Sequence, residues 1–365
     1  MSISPPVVPS RPPSRLEAVL TRAWTGRGPL ACALWPVSLL FRALSALRAT
    51  LYRRGVLAST RLPVPVIVVG NIYIGGTGKT PFTIWLVQAL RQAGLRPGVI
   101  SRGHGSADAQ ARAVTPTSTP QQVGDEPLLI AVRGGCPVVV GRDRAAAGRA
   151  LLAAHPDVDV LIADDGLQHY ALQRDVEIVL FDGRGTGNGW LLPAGPLREG
   201  PWRRRDFTVL NAADAPAALR ARVAPHGADG APLFQMVLAG DSAERLAGRH
   251  LGQVERMPLA LLAATAPRIV AAAGIGNPGR FFALLRAAGV RFTELALPDH
   301  HDFLDQPFAG LQADIILVTE KDAVKCAQIE NLKDDPRLWV VPVTAHIDTA
   351  LALQIVEKCR GCSTA

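Results

Sequence analysis

Cysteine is scarce: the 365 residues hold five, at positions 32, 136, 326, 359 and 362. An odd number without a paired spacing excludes a disulfide framework and points to a reducing compartment. Cys359 and Cys362 form a CxxC near the C-terminus, but no second ligand pair stands nearby, so they read as incidental. Acidic residues are scarce in one region only. Residues 1–60 hold eight Arg and one Glu, a balance of 8 − 1 = +7 out of a net +8. The rest of the chain is therefore nearly neutral, whereas a nucleic-acid enzyme would spread its basic surface over the folded body.

A long uninterrupted apolar run is also missing. The stretch GPLACALWPVSLLF (28–41) has fourteen uncharged residues, too few to span a bilayer comfortably, and Pro29 and Pro36 interrupt it. No small-residue cleavage site follows in the manner of a secretory signal. Trp24, Trp35 and Tyr52, with Arg42, Arg48, Arg53 and Arg54, fit a helix lying in the headgroup region of an anionic membrane. The alternative is an amphipathic helix packed on the protein body. Residues 1–14 are rich in Pro and Ser and are expected to be disordered.

What is present is a nucleotide-binding pattern. Residues 62–70 read LPVPVIVVG, a β-branched run expected to form a buried strand. After a glycine-rich stretch, FTIWLVQALRQAG (82–94) carries apolar residues at helical spacing and stops at Gly94, with Pro81 suited to the first helical turn. Between them, GNIYIGGTGKTP (70–81) matches the P-loop at Gly78, Lys79 and Thr80, but has Tyr73 where the pattern asks for its first glycine. In a strand–loop–helix arrangement the loop from Gly75 through Gly76, Thr77 and Gly78 would turn free N–H groups towards an anion. Lys79 would reach the β- and γ-phosphates of a nucleotide, and Thr80 would offer its hydroxyl to Mg²⁺.

Further apolar runs alternate with helical patterns through residues 96–183, which argues for a parallel sheet covered by helices. Asp164 and Asp165 end one of them, VLIADD, at the strand edge where a carboxylate meets nucleotide-bound Mg²⁺. His169 follows closely and is placed to shape the site. Residues 207–250 are less regular and are expected to hold a linker, and a second α/β unit starts near RIVAAAGIGNPGRFF (268–282).

Eight segments in register now point to one family: GNIYIGGTGKTP, SRGHG (101–105), VGDEP (123–127), DDGLQH (164–169), LLPAGPLRE (191–199), GIGNPGRFF (274–282), DHHDF (299–303) and VTEKDAVK (318–325). Together the set resembles the tetraacyldisaccharide 4′-kinases, the lipid A 4′-kinases, over about residues 15–350. That resemblance implies an α/β fold, a P-loop NTPase-like parallel sheet with helices on both faces plus a second, smaller α/β domain. It implies ATP and Mg²⁺, transfer of the γ-phosphate to the 4′-hydroxyl of a tetraacylated glucosamine disaccharide 1-phosphate, and work at the cytoplasmic face of the Gram-negative inner membrane. It also implies Asp125 as catalytic base with His300 as its partner, either one accepting the proton, and His301 as a bystander. Glu126 joins Thr80, Asp164 and Asp165 at the metal, while Arg102, His169, Arg198 and Glu199 line the substrate cleft. His104 stands where the family often has tyrosine. The expected partners are the glycolipid and a membrane surface, with neither nucleic acid nor an obligate protein partner.

The expected domain layout is a disordered 1–14, a basic membrane-associated helical segment 15–60, a P-loop kinase domain 61–208, a second α/β domain 209–355 and a tail 356–365. A nucleotide-switch ATPase or GTPase of the metallochaperone type is the competing class. Guanine readers of that class carry N-K-x-D, and the nearest match is TEKD (319–322), with Thr319 and Glu320 in place of Asn and Lys.

Overall fold

The computed structural model describes residues 15–103, 110–224, 231–249 and 254–361. The expected disordered segment 1–14, His104 and Cys362 lie outside those residues. Two compact units account for the body of the chain: Val19–Leu238 together with Ala345–Ala365, and Ala239–Thr344.

The larger unit is built on strands β1 (Val66–Asn71), β2 (Pro97–Ser101), β3 (Arg112–Ala113), β4 (Val138–Val140), β5 (Val160–Asp164), β6 (Val176–Asp182), β7 (Phe207–Asn211) and β8 (Leu233–Ala239). They lie in the order β8-β7-β6-β1-β5-β2-β4-β3, with β1 parallel to β5 and β6 and only the short β3 antiparallel to its neighbour. Every residue of β1 is buried, as a strand covered on both faces requires, and each of Ile67, Val68 and Val69 contributes about 1.5–3 kcal/mol by leaving water.

Helices α1 (Arg15–Ala23) and α2 (Pro29–Arg53) precede the sheet, and α3 (Lys79–Gln92), α4 (Pro120–Val123), α5 (Asp125–Gly134), α6 (Arg144–Ala154) and α7 (Ala217–Val223) follow in turn. Helix α3 buries Phe82, Thr83, Leu86, Val87 and Leu90, one face at helical spacing. It starts at Lys79, so Pro81 falls within the first turn, where no intrahelical N–H bond is lost.

Three expectations are corrected here. The stretch from 207 is no linker: β7 is wholly buried and pairs in parallel with β6, and β8 extends the same sheet, so the boundary lies near 239 rather than 209. Pro36 does not interrupt the N-terminal apolar run. It sits inside the 25-residue α2, which is long and apolar enough to cross a membrane by length and composition. Residues 356–360 are no tail either, as the end of the chain shows below.

The smaller unit holds β9 (Ser242–Arg245), β10 (Arg256–Pro258), α8 (Leu259–Thr265), β11 (Ile269–Ala273), α9 (Pro278–Ala287), β12 (Thr293–Ala296), β13 (Ile315–Thr319), α10 (Glu320–Cys326), α11 (Glu330–Lys333) and β14 (Leu338–Val341). Its sheet runs β10-β9-β14-β13-β11-β12. The chain then returns to the larger sheet with β15 (Thr344–Ile347) beside β8 and ends in α12 (Ala350–Arg360). Leu351, Ile355, Val356 and Cys359 form the buried face of α12, and Lys358 Nζ lies 2.8 Å from Asp206, which is why the helix docks rather than trailing away.

Candidate functional site

The loop between β1 and α3 keeps its shape without the missing glycine. Asn71 Nδ2 donates to the carbonyls of Tyr73 at 2.6 Å and Gly75 at 2.9 Å, closing the loop from within. Tyr73 is buried in the hydrophobic cluster beneath, and burial pushes its phenol above the usual range despite the nearby Arg184. Gly78 is irreplaceable for a different reason. Its φ is +95°, and a Cβ there would stand 2.3 Å from Asn211 Nδ2, the same group that donates to Thr77 O at 2.9 Å.

Lys79 opens α3 with its Nζ 3.1 Å from Asn71 Oδ1 and 3.7 Å from Asp165 Oδ1. Arg198 converges on the same two partners, donating to Asn71 O at 2.9 Å, to Asn71 Oδ1, and to Asp165 at 3.2 Å. Asp164 ends β5, fully buried, and accepts from Thr83 Oγ1 at 3.2 Å and Ser101 Oγ at 3.4 Å. Burial first, and then the charge of Glu126, push its carboxyl up to about 6, against the pull of Lys79. Burial works the same way on Asp165, but Lys79 and Arg198 outweigh it and hold that carboxyl below the usual range.

The turn carrying this pair is held from behind. Asp165 adopts φ +49°, a left-handed conformation that costs energy outside glycine. The buried Arg144 donates to Gly141 O at 2.9 Å and reaches the carbonyls of Asp164 and Asp165 at 3.5 Å each. The donor set of Asp164, Asp165, Glu126 and the buried Thr80 fits a divalent cation on its chemistry, because the burial and like charge that raise Asp164 are what a cation would reverse.

Asp125 is buried at the start of α5, where its Oδ1 accepts from the N–H of Glu126 at 2.9 Å. His300 belongs to the smaller unit and sits in an exposed turn at φ +58° with Asp299 4.0 Å from its Nε2. His301 differs: its Nδ1 accepts from Phe303 N–H at 3.1 Å, so Nε2 carries the proton and meets Asp305 at 3.3 Å. His301, Asp302 and Asp305 bring ligand atoms within 4.8 Å of one another, yet this tautomer leaves the imidazole no lone pair for a metal. His301→Ala is therefore expected to lower the melting temperature more than His300→Ala, which removes an exposed ring, and thermal unfolding of the two variants checks this.

A comparison with protein-family models matches residues 30–360 to the one described as tetraacyldisaccharide-1-P 4′-kinase, LpxK. The chain belongs to the tetraacyldisaccharide-1-P 4′-kinase family. It is 63% identical over 357 residues to a tetraacyldisaccharide 4′-kinase of Janthinobacterium sp. (strain Marseille), covering 96% of this chain and 99% of that protein. It is 59% identical to the one from Herminiimonas arsenicoxydans, with 96% and 98% covered. Its fold matches an LpxK structure from Aquifex aeolicus, described as an "apo" form in complex with ATP, at a TM-score of 0.73 and 28% identity, over 90% of this chain and 99% of that one.

Within this member of the kinase family, the motif residues scatter more than their sequence order suggests. Arg198 turns into the loop, whereas Glu199, its neighbour, turns away and accepts from Gln168 at 2.9 Å and Tyr170 at 2.8 Å while pairing with Arg203. Arg102 is exposed beyond β2. His169 is half-buried, and burial together with Arg144 holds its imidazole below the usual range. TEKD caps α10 in the smaller unit: Thr319 Oγ1 accepts from Asp322 N–H at 3.3 Å, and Asp322 Oδ2 takes the N–H of Gly274 at 3.0 Å. That bond gives the glycine-rich GIGNPG turn a carboxylate of its own chain.

Four residues at the loop escaped the sequence reading. Asn71 sits in the quoted loop itself and only its amide character marks it. Asn211 ends β7 and donates to the loop at Thr77 O, a contact no local pattern announces. Arg144 carries no local signal, and Arg184 is taken up below.

Proposed function

We propose that the chain transfers the γ-phosphate of ATP to the 4′-hydroxyl of a tetraacylated glucosamine disaccharide 1-phosphate, a step of lipid A synthesis. The observation that carries this reading is that Lys79 and Arg198 both meet Asn71 of the glycine loop and Asp165, next to the buried Asp164, in a chain 63% identical to a tetraacyldisaccharide 4′-kinase. The N–H groups of Gly75 to Gly78 and the Lys79 ammonium bind the phosphates. Thr80, Asp164, Asp165 and Glu126 would hold Mg²⁺, which supplies charge neutralisation on the phosphate oxygens when bound. Asp125 and His300, paired only by the family resemblance, are the residues assigned to the proton of the attacking hydroxyl, either one accepting it. Arg102, His169 and Glu199 belong to the substrate side of this reading.

The substrate's acyl chains stay in a bilayer, which gives α2 its place. One face of α2 rests on the larger unit: Ser38 Oγ donates to Leu191 O at 2.8 Å, the Trp35 and Trp190 rings lie 6.2 Å apart, and Arg48 Nη1 reaches Gln168 O at 3.4 Å. Val37, Leu40, Leu44 and Leu47 form the other face at helical spacing, and all are exposed. That exposed apolar stripe suits the cytoplasmic face of the Gram-negative inner membrane, while Arg42 lies over Trp202 and Arg48 over Tyr170 on the docked side. Leu40→Glu with Leu44→Glu is expected to weaken binding to anionic vesicles about tenfold or more, because two leucine side chains leave the acyl boundary, while the fold is unchanged. Co-sedimentation at rising salt measures it, and equal binding by the variant rejects the anchor.

The function itself is tested by incubating purified protein with radiolabelled ATP and the tetraacyl disaccharide 1-phosphate. A labelled glycolipid is expected. Label found only as free phosphate would overturn the reading in favour of a nucleotide switch.

A further inference from the structure

Arg184 follows β6 and leans over the phosphate loop. Asp182, buried at the end of the strand, grips its guanidinium at 3.1 Å through Nε and 2.8 Å through Nη2. The guanidinium carbon lies 4.3 Å above the Tyr73 ring, the residue that replaced the usual first glycine. Nη2 also donates to Gly76 O at 3.1 Å. Nη1 makes no hydrogen bond among the described residues and points to Gly75, where an added Cβ would stand 3.6 Å from it. Gly75 has φ +93° and carries no side chain that could block the approach.

A carboxylate leash, a ring beneath and an unengaged Nη1 over the loop are what a charge-stabilising arginine supplied in cis requires. We infer that Arg184 is a further catalytic residue, whose Nη1 side contacts the transferring phosphoryl group of the bound nucleotide. This rests on the proposed kinase reading. During transfer the bond from the γ-phosphorus to the β–γ bridging oxygen breaks and one to the acceptor oxygen forms. The hydroxyl proton passes to the basic pair, ADP departs, and Arg184 neutralises equatorial charge without giving up a proton. It also gives Tyr73 a purpose: glycine at that position would leave the guanidinium without its supporting ring.

The test compares wild type with Arg184→Ala and Arg184→Lys, measuring kcat, KM for ATP, ADP affinity, and binding of ADP with aluminium fluoride as a mimic of the transferring group. Arg184→Ala is expected to lose about 10²-fold in kcat with KM for ATP and ADP affinity within about threefold of wild type. The variant should lose most of the extra affinity for the aluminium fluoride complex. Added guanidinium should restore part of the rate, and Arg184→Lys should recover little, lacking the planar fork. Turnover within about tenfold of wild type would overturn the inference. So would a fall in ADP affinity that matches the fall in kcat/KM, since Arg184 would then only brace the loop. Wild-type labelling of the glycolipid keeps these outcomes apart from failure of the kinase reading, which would show as no labelled glycolipid in any protein.

Discussion

Lys79→Ala is expected to reduce phosphoryl transfer by about 10³-fold or more while the protein stays folded, because one ammonium neutralises charge that develops on the phosphates. The prediction separates function from stability unusually well. Among the described residues Nζ pairs with Asn71 and Asp165, and Arg198 reaches both. Removing Lys79 therefore leaves neither partner alone, and the apolar face of α3, from Phe82 to Leu90, keeps the helix in place. Lys79→Arg should rescue little, since a planar fork does not replace a compact charge. Nucleotide binding, circular dichroism and turnover on one preparation check the claim. Turnover within about tenfold of wild type would remove Lys79 from the site.

The contrast between Lys79 and Arg184 shows what a sequence can reveal here. Strand, loop, helix and the Asp164–Asp165 pair were legible because each rests on local pattern: a β-branched run, three glycines, apolar residues at helical spacing, carboxylates closing a strand. What surrounds the loop was not, because those contacts span the chain. Asn211 touches Thr77 across 134 positions and Arg184 touches Gly76 across 108. No period or motif joins such residues until β6 is laid beside β1 and β7 beside β6. The same gap explains β8, whose half-buried strand at the flank of the sheet reads as irregular, and α2, where neighbouring contacts such as Ser38 with Leu191 hold a helix through Pro36. Glu199 makes the point within a single motif. Adjacent to Arg198, it points into a different network, with Tyr170 and Arg203.

Asp164→Asn is expected to abolish transfer, by about 10³-fold or more at every Mg²⁺ concentration, and yet to raise the melting temperature of the metal-free protein. Asp164 is buried with two hydroxyl partners and stands near the charge of Glu126, so the folded state disfavours its ionised form and lifts its pKa to about 6 from an unfolded value near 3.8. A carboxyl whose folded pKa is raised binds its proton more tightly folded than unfolded. Its ionisation therefore costs stability as pH rises from about 4 to about 6, and the full penalty is present above that window. Asparagine keeps the shape and hydrogen-bonds Thr83 and Ser101 without the charge. In EDTA the variant should melt about 3 °C or more above wild type at pH 8, the order that 1 kcal/mol produces in a unit of this size. The gap should narrow as pH falls towards 4 and close below it, as Asp164 becomes protonated in both states. Saturating Mg²⁺ should also narrow it, because wild type gains a bound cation that the asparagine holds poorly. An Asn variant less stable than wild type at pH 8, or a gap that widens as pH falls, would show that the carboxylate's burial is not a source of strain.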